Sequence, residues 1–396
     1  MPGQSPLLVA ALARLSQAIC AALVAKVSRS APQAGGKRKM AMRCAASLPA
    51  ATRERFALSG GCELAIVVRE NWLSTTAEEI IDPMRRVIDP HQHFFVPDQP
   101  FPYYDLDDLW RDTTGHGVEK TVFLQCWQGY RTDGPEELRS VGETEWVDRI
   151  ASAARADVSK AHVCGIVSAA ELRLGARVRD VIEAHAAASK LFKGIRQMAP
   201  WDAAAEVMSM DGVEEGTLYL NPKFQEGVRV LQDMDFVYET WLYHPHIKHL
   251  TALARAVPGA RIILDHMGSP LGVGPYAGRR EEVFRDWARD MAELATCPNV
   301  TVKLGGLLMP WQGFGFEGSN EAPTSDQIVA AQSRYYDHVI GAFGTKRCMF
   351  ESNFPVEKNA ISYDVLWNAF KKIAARYSDD EQDDLFYGTA EAFYRL

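Results

Sequence analysis

The sequence predicts one α/β domain built as a (β/α)₈ barrel, or TIM barrel, preceded by an N-terminal extension. From residue 87 onward, eight short apolar segments rich in β-branched residues alternate with segments of helical periodicity. The roughly 300 residues that hold these eight units lie in the usual size range of this fold. A doubly wound sheet is the alternative, but no Gly-x-Gly-x-x-Gly motif follows the first predicted strand.

Strands and helices are predicted in alternation along the chain. The predicted strands span residues 87–88, 121–126, 162–167, 192–196, 236–242, 261–265, 300–304 and 347–350. The clearest helical patterns span residues 144–156, 171–187, 247–256, 281–295, 327–343 and 363–377. Residues 197–221, after the fourth strand, form a longer connection than usual, which is typical of a lid over an active site.

Residues 1–60 are predicted to be a targeting peptide that is disordered or cleaved. Residues 1–53 hold eight of the 43 Lys and Arg residues and none of the 51 Asp and Glu residues, and residues 7–27 form an amphipathic helical stretch. This composition is typical of transit peptides and predicts a mitochondrial or plastid location. The alternatives are a secretory signal, a plain disordered extension, or translation from Met40, and without a transit peptide the predicted location is the cytoplasm.

Charge and cysteine content exclude several classes of function. The net charge is -8 although the extension is basic, so the body of the protein is acidic and is not expected to bind nucleic acid or an anionic membrane. Arg14 and Ser16 interrupt the only long apolar stretch, which argues against a membrane span. The seven cysteines form no Cys-x-x-Cys pair, which indicates a reducing compartment and no disulfide framework.

Two histidines at the end of the first predicted strand are the strongest chemical signal. His91 and His93 are spaced i, i+2, so on a strand their imidazoles project from the same face. Such a pair provides two ligands for a divalent metal or two hydrogen-bond donors for a substrate carbonyl. The alternative is a pair of hydrogen-bonded interior histidines without a chemical role.

Other polar residues follow later strands, at the rim where barrel enzymes carry their chemistry. They are Arg196 after the fourth strand, Tyr243 and His244 after the fifth, Asp265 and His266 after the sixth, Lys303 at the end of the seventh, and Glu351 and Asn353 after the eighth. Each also has a structural interpretation: His266 as a hydrogen-bonded interior residue, and Arg196 and Lys303 as members of ion pairs.

Residues 72–396 resemble the amidohydrolase superfamily, in the branch that includes sugar-lactone hydrolases and pyrone dicarboxylate lactonase. Asp-Pro-His-Gln-His at 89–93 resembles the first-strand motif of that branch, and Leu-Asp-His-Met-Gly at 264–268 resembles its sixth-strand Asp-His-x-Gly. Lys-Gly-Ile-Arg at 193–196 is similar to its fourth-strand motif, and Phe-Glu-Ser-Asn-Phe-Pro at 350–355 is similar to its eighth-strand Gly-Ser-Asp-Trp-Pro.

The resemblance implies a hydrolase of a small carbonyl compound, with a lactone or cyclic ester as the first choice. His91, His93 and His266 would hold a divalent metal, Zn or Mn, or would polarise the carbonyl directly, since some members of this branch work without metal. Arg196 would bind an anionic group of the substrate. Three further residues are assigned to substrate binding: Lys303, Tyr243 and His244. A homo-oligomer is compatible with the sequence.

Asn353 departs from the family pattern. It stands where the family has the aspartate that acts as general base, and an amide does not accept a proton at neutral pH. The base would then be a metal hydroxide, one of the histidines, Glu351 or Asp265. Two alternatives remain: a decarboxylase of the same superfamily, and a catalytically silent barrel that binds a ligand.

Overall fold

The computed structural model describes residues 78–97, 103–210, 213, 216–316 and 321–396. It also describes two short antiparallel strands at Phe56–Ala57 and Glu63–Leu64. The predicted targeting segment, residues 1–60, lies outside the described residues except for the first of these strands.

Eight parallel strands form a nearly closed barrel, as the alternating pattern predicts. They are named β1 to β8 in chain order, and each strand is hydrogen-bonded to the next one along the chain. Their bounds are Val87–Gln92, Val118–Leu124, His162–Ser168, Phe192–Arg196, Val237–Thr240, Arg261–Leu264, Val300–Leu304 and Cys348–Phe350. The strands' carboxyl ends therefore meet at one rim, which brings the polar residues that follow them together.

The barrel closes between β1 and the segment that follows β8. The His93 amide donates a 2.8 Å hydrogen bond to the carbonyl of Phe354, and the Asn353 amide donates a 3.0 Å bond to the carbonyl of His91. Gln92 and Phe354 form an isolated parallel bridge at the same place. These contacts fix the first and eighth strand ends against each other.

Each of the eight strands is followed by one main helix, so the chain completes eight β/α units. Helices α1 to α8 span Leu106–Thr113, Val141–Ala154, Val178–Ala188, Pro222–Asp233, Ile247–Ala256, Arg280–Ala295, Ser325–Phe343 and Tyr363–Ala374. The sequence patterns did not single out α1 and α4. Both have clear start signals: Asp105 and Asp108 form a capping box at α1, and Asn221 caps α4 ahead of Pro222.

The C-terminal segment closes the amino-terminal mouth of the barrel. It comprises α9 (Asp379–Asp383), a π-helical turn (Asp384–Gly388) and α10 (Thr389–Tyr394). Tyr387, Ala390 and Tyr394 pack in one apolar cluster with inward-facing strand residues such as Val122 and Met349. This cluster seals the end opposite to the rim that carries the polar side chains.

Two remaining expectations concern membranes and disulfides. Within the described part of the chain, no helix combines the length and apolar character that crossing a bilayer requires. The described cysteines, Cys126, Cys164, Cys297 and Cys348, are all free thiols. The other three cysteines lie outside the described residues.

Candidate active site

The two histidines of β1 project to the same side, as their spacing predicts. The strand continues through Pro90 to Gln92, with a register irregularity against β2 between Asp89 and Gln92. The Nε2 atoms of His91 and His93 lie 3.2 Å apart, and Nδ1 of His93 lies 2.8 Å from the carbonyl oxygen of Leu124. The Nδ1 of His93 therefore carries a proton, which leaves its Nε2 as a bare lone pair facing His91.

Asp89 does not join these histidines. Its carboxylate accepts 3.0 Å hydrogen bonds from the Ser352 amide and from the Tyr363 hydroxyl of α8. Burial raises the pKa of Asp89 to about 6, although these hydrogen bonds act in the opposite direction. Asp89 therefore joins β1 to the segment after β8 and to helix α8, and its role is structural.

The Glu351 carboxylate holds two imidazoles at once. Its Oε1 lies 2.7 Å from Nδ1 of His266 and 3.1 Å from the His266 amide nitrogen. Its Oε2 lies 2.5 Å from Nδ1 of His91, and all three residues are buried. The rings of His91 and His266 have their centroids 4.7 Å apart. Glu351 thus fixes the orientation of one histidine from β1 and one from the segment after β6.

Both ring nitrogens of His91 face hydrogen-bond acceptors, but a neutral imidazole can donate to only one of them. The two acceptors are Nε2 of His93 and Oε2 of Glu351, and a neutral imidazole has a single N–H. Nδ1 of His91 and Oε2 of Glu351 lie close together but do not meet in hydrogen-bonding geometry, so neither has a hydrogen-bond partner among the described residues. Burial, together with the nearby charges of Lys303 and Arg196, holds the pKa of His91 well below its usual value. A second proton is therefore disfavoured, and a bound cation at this position fits the donor set.

The third potential metal ligand is Asp265. One ligand atom from each of His91, Asp265 and His266 lies within 4.8 Å of the other two, and all three side chains are buried. Oδ2 of Asp265 is held by Nε of Arg196 at 2.8 Å, whereas Oδ1 has no hydrogen-bond partner in the described chain. Two imidazoles and one carboxylate oxygen suit a divalent metal such as zinc.

Two cations flank this carboxylate. Nζ of Lys303 lies 3.7 Å from Oδ1 of Asp265, and Nη1 of Arg196 lies 3.5 Å from the carbonyl oxygen of Gln125. Burial and then the charge of Glu239 raise the pKa of Asp265 well above its usual range, although Arg196 and Lys303 lower it. The two predicted substrate-binding cations thus lie in the same buried cluster as the histidines.

Glu239 belongs to the cluster but was not expected from the sequence. It lies on β5, forms an ion pair with Lys303, and accepts a 2.7 Å hydrogen bond from the hydroxyl of Tyr394. The available signal was an acid inside a short apolar strand, Val-Tyr-Glu-Thr at 237–240. The C-terminal helix that seals the amino-terminal end of the barrel therefore contacts the same charged cluster, through Tyr394 and Glu239.

Asn353 lies beside His93 after β8. Its backbone adopts a left-handed conformation with φ 54°, which asparagine tolerates better than most residues. Its side-chain Nδ2 is buried and has no hydrogen-bond partner in the described chain. Burial and then the charge of Arg196 lower the pKa of His93 to about 3, so this histidine is neutral near pH 7.

Tyr243 and His244 lie apart from this cluster, in the apolar layer above it. The Tyr243 hydroxyl donates a 2.8 Å hydrogen bond to the carbonyl of Met208, and Nδ1 of His244 accepts a 3.3 Å bond from the Leu271 amide. Both side chains thus connect the loops that cover the site. Their assignment to substrate binding stays a prediction.

A buried cluster of three imidazoles, three carboxylates and two cations at the carboxyl rim of a (β/α)₈ barrel is typical of a barrel enzyme. The family model described as "Amidohydrolase" matches residues 88–396, and the chain belongs to this family. The family predicted from the motifs is confirmed. Membership indicates an enzyme of hydrolytic type that acts on small molecules.

The chain is similar in sequence to proteins of Sinorhizobium fredii and Burkholderia ambifaria. It is 32% identical over 295 residues to Uncharacterized protein y4mH of Sinorhizobium fredii, covering 74% of this chain and 86% of that protein. It is 26% identical over 316 residues to L-fucono-1,5-lactonase of Burkholderia ambifaria, covering 78% of this chain and 95% of that protein.

A solved structure shares the fold. An amidohydrolase of Burkholderia multivorans with bound zinc superposes with a TM-score of 0.61 at 22% identity, covering 78% of this chain and 99% of that one.

Proposed function

We propose that this protein hydrolyses a small lactone or cyclic ester at the carboxyl rim of the barrel. The observation that carries the proposal is that one carboxylate, Glu351, lies against His91 and His266 together, 2.5 Å and 2.7 Å from their Nδ1 atoms. This arrangement presents imidazole nitrogens to a common point inside a buried site. The similarity to a protein named as a lactonase supports the choice of substrate class.

A divalent metal, Zn or Mn, would be held by His91, His266 and Asp265, with His93 beside His91. When bound, such an ion polarises a carbonyl oxygen and lowers the pKa of a coordinated water. In the family member from Burkholderia multivorans the bound ion is zinc. The donor set of two imidazole nitrogens and one carboxylate oxygen is compatible with that choice.

The remaining side chains supply charge and proton transfer. Arg196 and Lys303 place positive charge next to the cluster, where it stabilises the negative charge that develops on an attacked carbonyl oxygen. Oδ1 of Asp265 has no hydrogen-bond partner in the described chain; it is the oxygen that would contact a metal or, without a metal, accept a proton from the attacking water. Asn353 replaces the family's base and orients water or substrate through its amide.

The test combines metal content with turnover. Protein purified without added metal should contain close to one equivalent of Zn or Mn, and it should hydrolyse members of a lactone panel. Replacing His91 and His93 together with Ala should remove metal and reduce kcat/KM by about 10³-fold or more, with far-UV circular dichroism unchanged. His338→Ala is the matched control, because that imidazole bonds to the carbonyl of Ala288 between outer helices.

Three results would contradict the proposal. Unchanged lactone hydrolysis in the double variant would remove the histidines from catalysis. Release of carbon dioxide from aromatic acids without lactone hydrolysis would favour the decarboxylase. Retained metal or ligand binding without turnover on any substrate would favour a binding protein.

A further inference from the structure

The loops above the polar cluster contain a packed cluster of apolar side chains, which we call the apolar wall. Four consecutive β/α connections contribute to it, and its members are Met198, Trp241, Leu271, Met309 and Trp311. They belong to one cluster of packed side chains, in which Trp311 is partly buried and the other four are buried. The strand ends of this barrel therefore carry polar side chains, and the connections that follow them carry apolar ones.

The wall touches the catalytic floor directly. The ring of Trp241 lies 5.9 Å from the ring of His266 and 5.8 Å from the ring of Trp311, measured between centroids. On the other side of the site, the ring of Phe95 lies 5.8 Å from that of His93. A substrate whose carbonyl reaches His266 therefore lies next to Trp241, the wall residue nearest to the histidines.

Polar atoms in this layer are already occupied by protein partners. Nε1 of Trp241 donates a 2.8 Å hydrogen bond to Oγ of Ser269, and the hydroxyl of Tyr276 donates a 2.7 Å bond to Oδ2 of Asp202. The hydroxyl of Tyr243 is likewise held by a loop carbonyl.

On the four connections that form the wall, the described side chains with buried, unpartnered polar atoms, apart from Asp265 of the polar cluster, are Gln312 and His246. Across the site, Gln125 Oε1 and Asn353 Nδ2 also have no partner.

This distribution of polar atoms discriminates between classes of lactone. A sugar lactone carries several hydroxyl groups, and each hydroxyl buried without a partner costs about tenfold or more in affinity. Within the wall, the amide of Gln312 satisfies one or two of them. An alkyl substituent, by contrast, gains about fourfold in affinity for each methylene that it buries.

Resting on the proposed hydrolysis, we propose that the substrate is a lactone with an apolar alkyl or aryl substituent, and not a polyhydroxylated sugar lactone. The ester carbonyl lies at the histidine floor, next to Arg196 and Lys303. The substituent packs against Trp241, Trp311 and Met309. Hydrolysis adds water across the acyl–oxygen bond, and the product is an amphipathic hydroxy acid.

The test uses δ-lactones that share one ester ring and differ in the substituent: δ-valerolactone, δ-octalactone, δ-nonalactone and glucono-δ-lactone. For the metal-loaded full-length protein, kcat/KM should rise about fourfold per buried methylene along the alkyl series. Glucono-δ-lactone should be the poorest substrate. A kcat/KM for glucono-δ-lactone above that for δ-nonalactone would overturn the inference while leaving lactone hydrolysis in place.

Variants locate the effect on the wall. Trp311→Ala should lower kcat/KM for δ-nonalactone by about tenfold or more, and that for δ-valerolactone by less than about threefold. Trp110→Ala is the matched control, because that indole lies on α1 and bonds to the carbonyl of Ala161. An equal loss on both lactones would overturn the inference. If Trp311→Ala does not fold by circular dichroism, Met309→Gln replaces it with the same expectation.

A binding measurement separates this inference from the proposed reaction. Calorimetry with the ring-opened acids should show 5-hydroxynonanoate binding about tenfold or more tightly than gluconate. If no lactone is hydrolysed but this preference appears, the proposed hydrolysis fails and the apolar substrate class stands. Equal binding, or a preference for gluconate, overturns the substrate class whatever the activity.

Discussion

The arrangement of the site depends most on Glu351, a residue that the sequence offered only as one of several bases. Its two oxygens lie against His91 and His266, which are 175 positions apart in the chain but adjacent in the barrel. Because both contacts are at Nδ1, the carboxylate lies on the side of each ring opposite to Nε2, the nitrogen left to face a metal or substrate. Glu351 is therefore better described as a positioning residue than as the base.

Asn353 gives the first residue-scale prediction. Asn353→Asp places a carboxylate beside His93, and its negative charge should raise the pKa of that histidine from about 3. The variant should bind metal more tightly and show an altered acidic limb in its pH–rate profile. Asn359→Asp adds the same charge at an exposed position in the same loop and should change neither property. An unaltered profile for Asn353→Asp would remove Asn353 from the site.

Glu143 gives a pH-dependent prediction away from the metal ligands. Its Oε1 accepts hydrogen bonds of 3.0 Å and 2.7 Å from the amides of Cys126 and Gln128, and burial raises its pKa to about 8. The folded protein therefore favours the protonated acid. The pKa of Glu143 is higher in the folded than in the unfolded protein. Its contribution to the free energy of unfolding is therefore fully present below about pH 4 and is lost as the pH rises towards 8.

Glu143→Gln should remove that dependence. The Tm of the wild type should fall from pH 5 to pH 9 relative to the variant, because its free energy of unfolding loses up to about 1.4 kcal/mol per pH unit. Glu145→Gln, on the same helix, is the control: its carboxylate pairs with Arg131, and its pKa is lowered. Parallel Tm curves for the wild type and Glu143→Gln would show that Glu143 is charged in the folded protein.

At the scale of elements, strands were easier to predict than their contacts. Every predicted strand segment overlaps an observed one, because buried parallel strands appear as short apolar runs. The pairing of His91 with His93 followed from strand geometry alone. The contacts of Glu351 with two histidines, and of Glu239 with Tyr394, join distant parts of the chain, so no local pattern indicates them.

The C-terminal helix supplies the element-scale prediction. The Tyr394 hydroxyl bonds to the buried carboxylate of Glu239, so Tyr394→Phe should cost about 2 kcal/mol in free energy of unfolding. Tyr387→Phe, in the same C-terminal segment, is the control, because Tyr387 lies beside the partly exposed side chain of Lys120 and not beside a buried carboxylate. Thermal denaturation should show a lower Tm for Tyr394→Phe than for Tyr387→Phe. Equal values would mean that the helix seals the barrel by apolar packing alone.

At the scale of the whole molecule, the residues that lead into β1 are joined to the barrel by hydrogen bonds. The carboxylate of Glu78 accepts bonds of 2.8 Å and 2.6 Å from the amide and hydroxyl of Ser325, at the start of α7, and a 3.1 Å bond from Asn368 of α8. A carboxylate at a helix N-terminus is stabilised by the backbone amides and the helix dipole. The Ile81 amide donates a further 2.9 Å bond to Asn368. Residues 78–81 therefore belong to the barrel domain.

The last prediction separates the N-terminal extension from that domain. A protein that begins at Cys62 should melt cooperatively with the Tm of the full chain, because it keeps the contacts of Glu78 and Ile81. A protein that begins at Val87 should melt several degrees lower, because it removes the Glu78 and Ile81 partners of Ser325 and Asn368. Residues 1–60 fused to a fluorescent protein should direct it to mitochondria or plastids. An insoluble or molten protein beginning at Cys62 would place the extension in the fold, and a diffuse cytoplasmic fusion would contradict the targeting prediction.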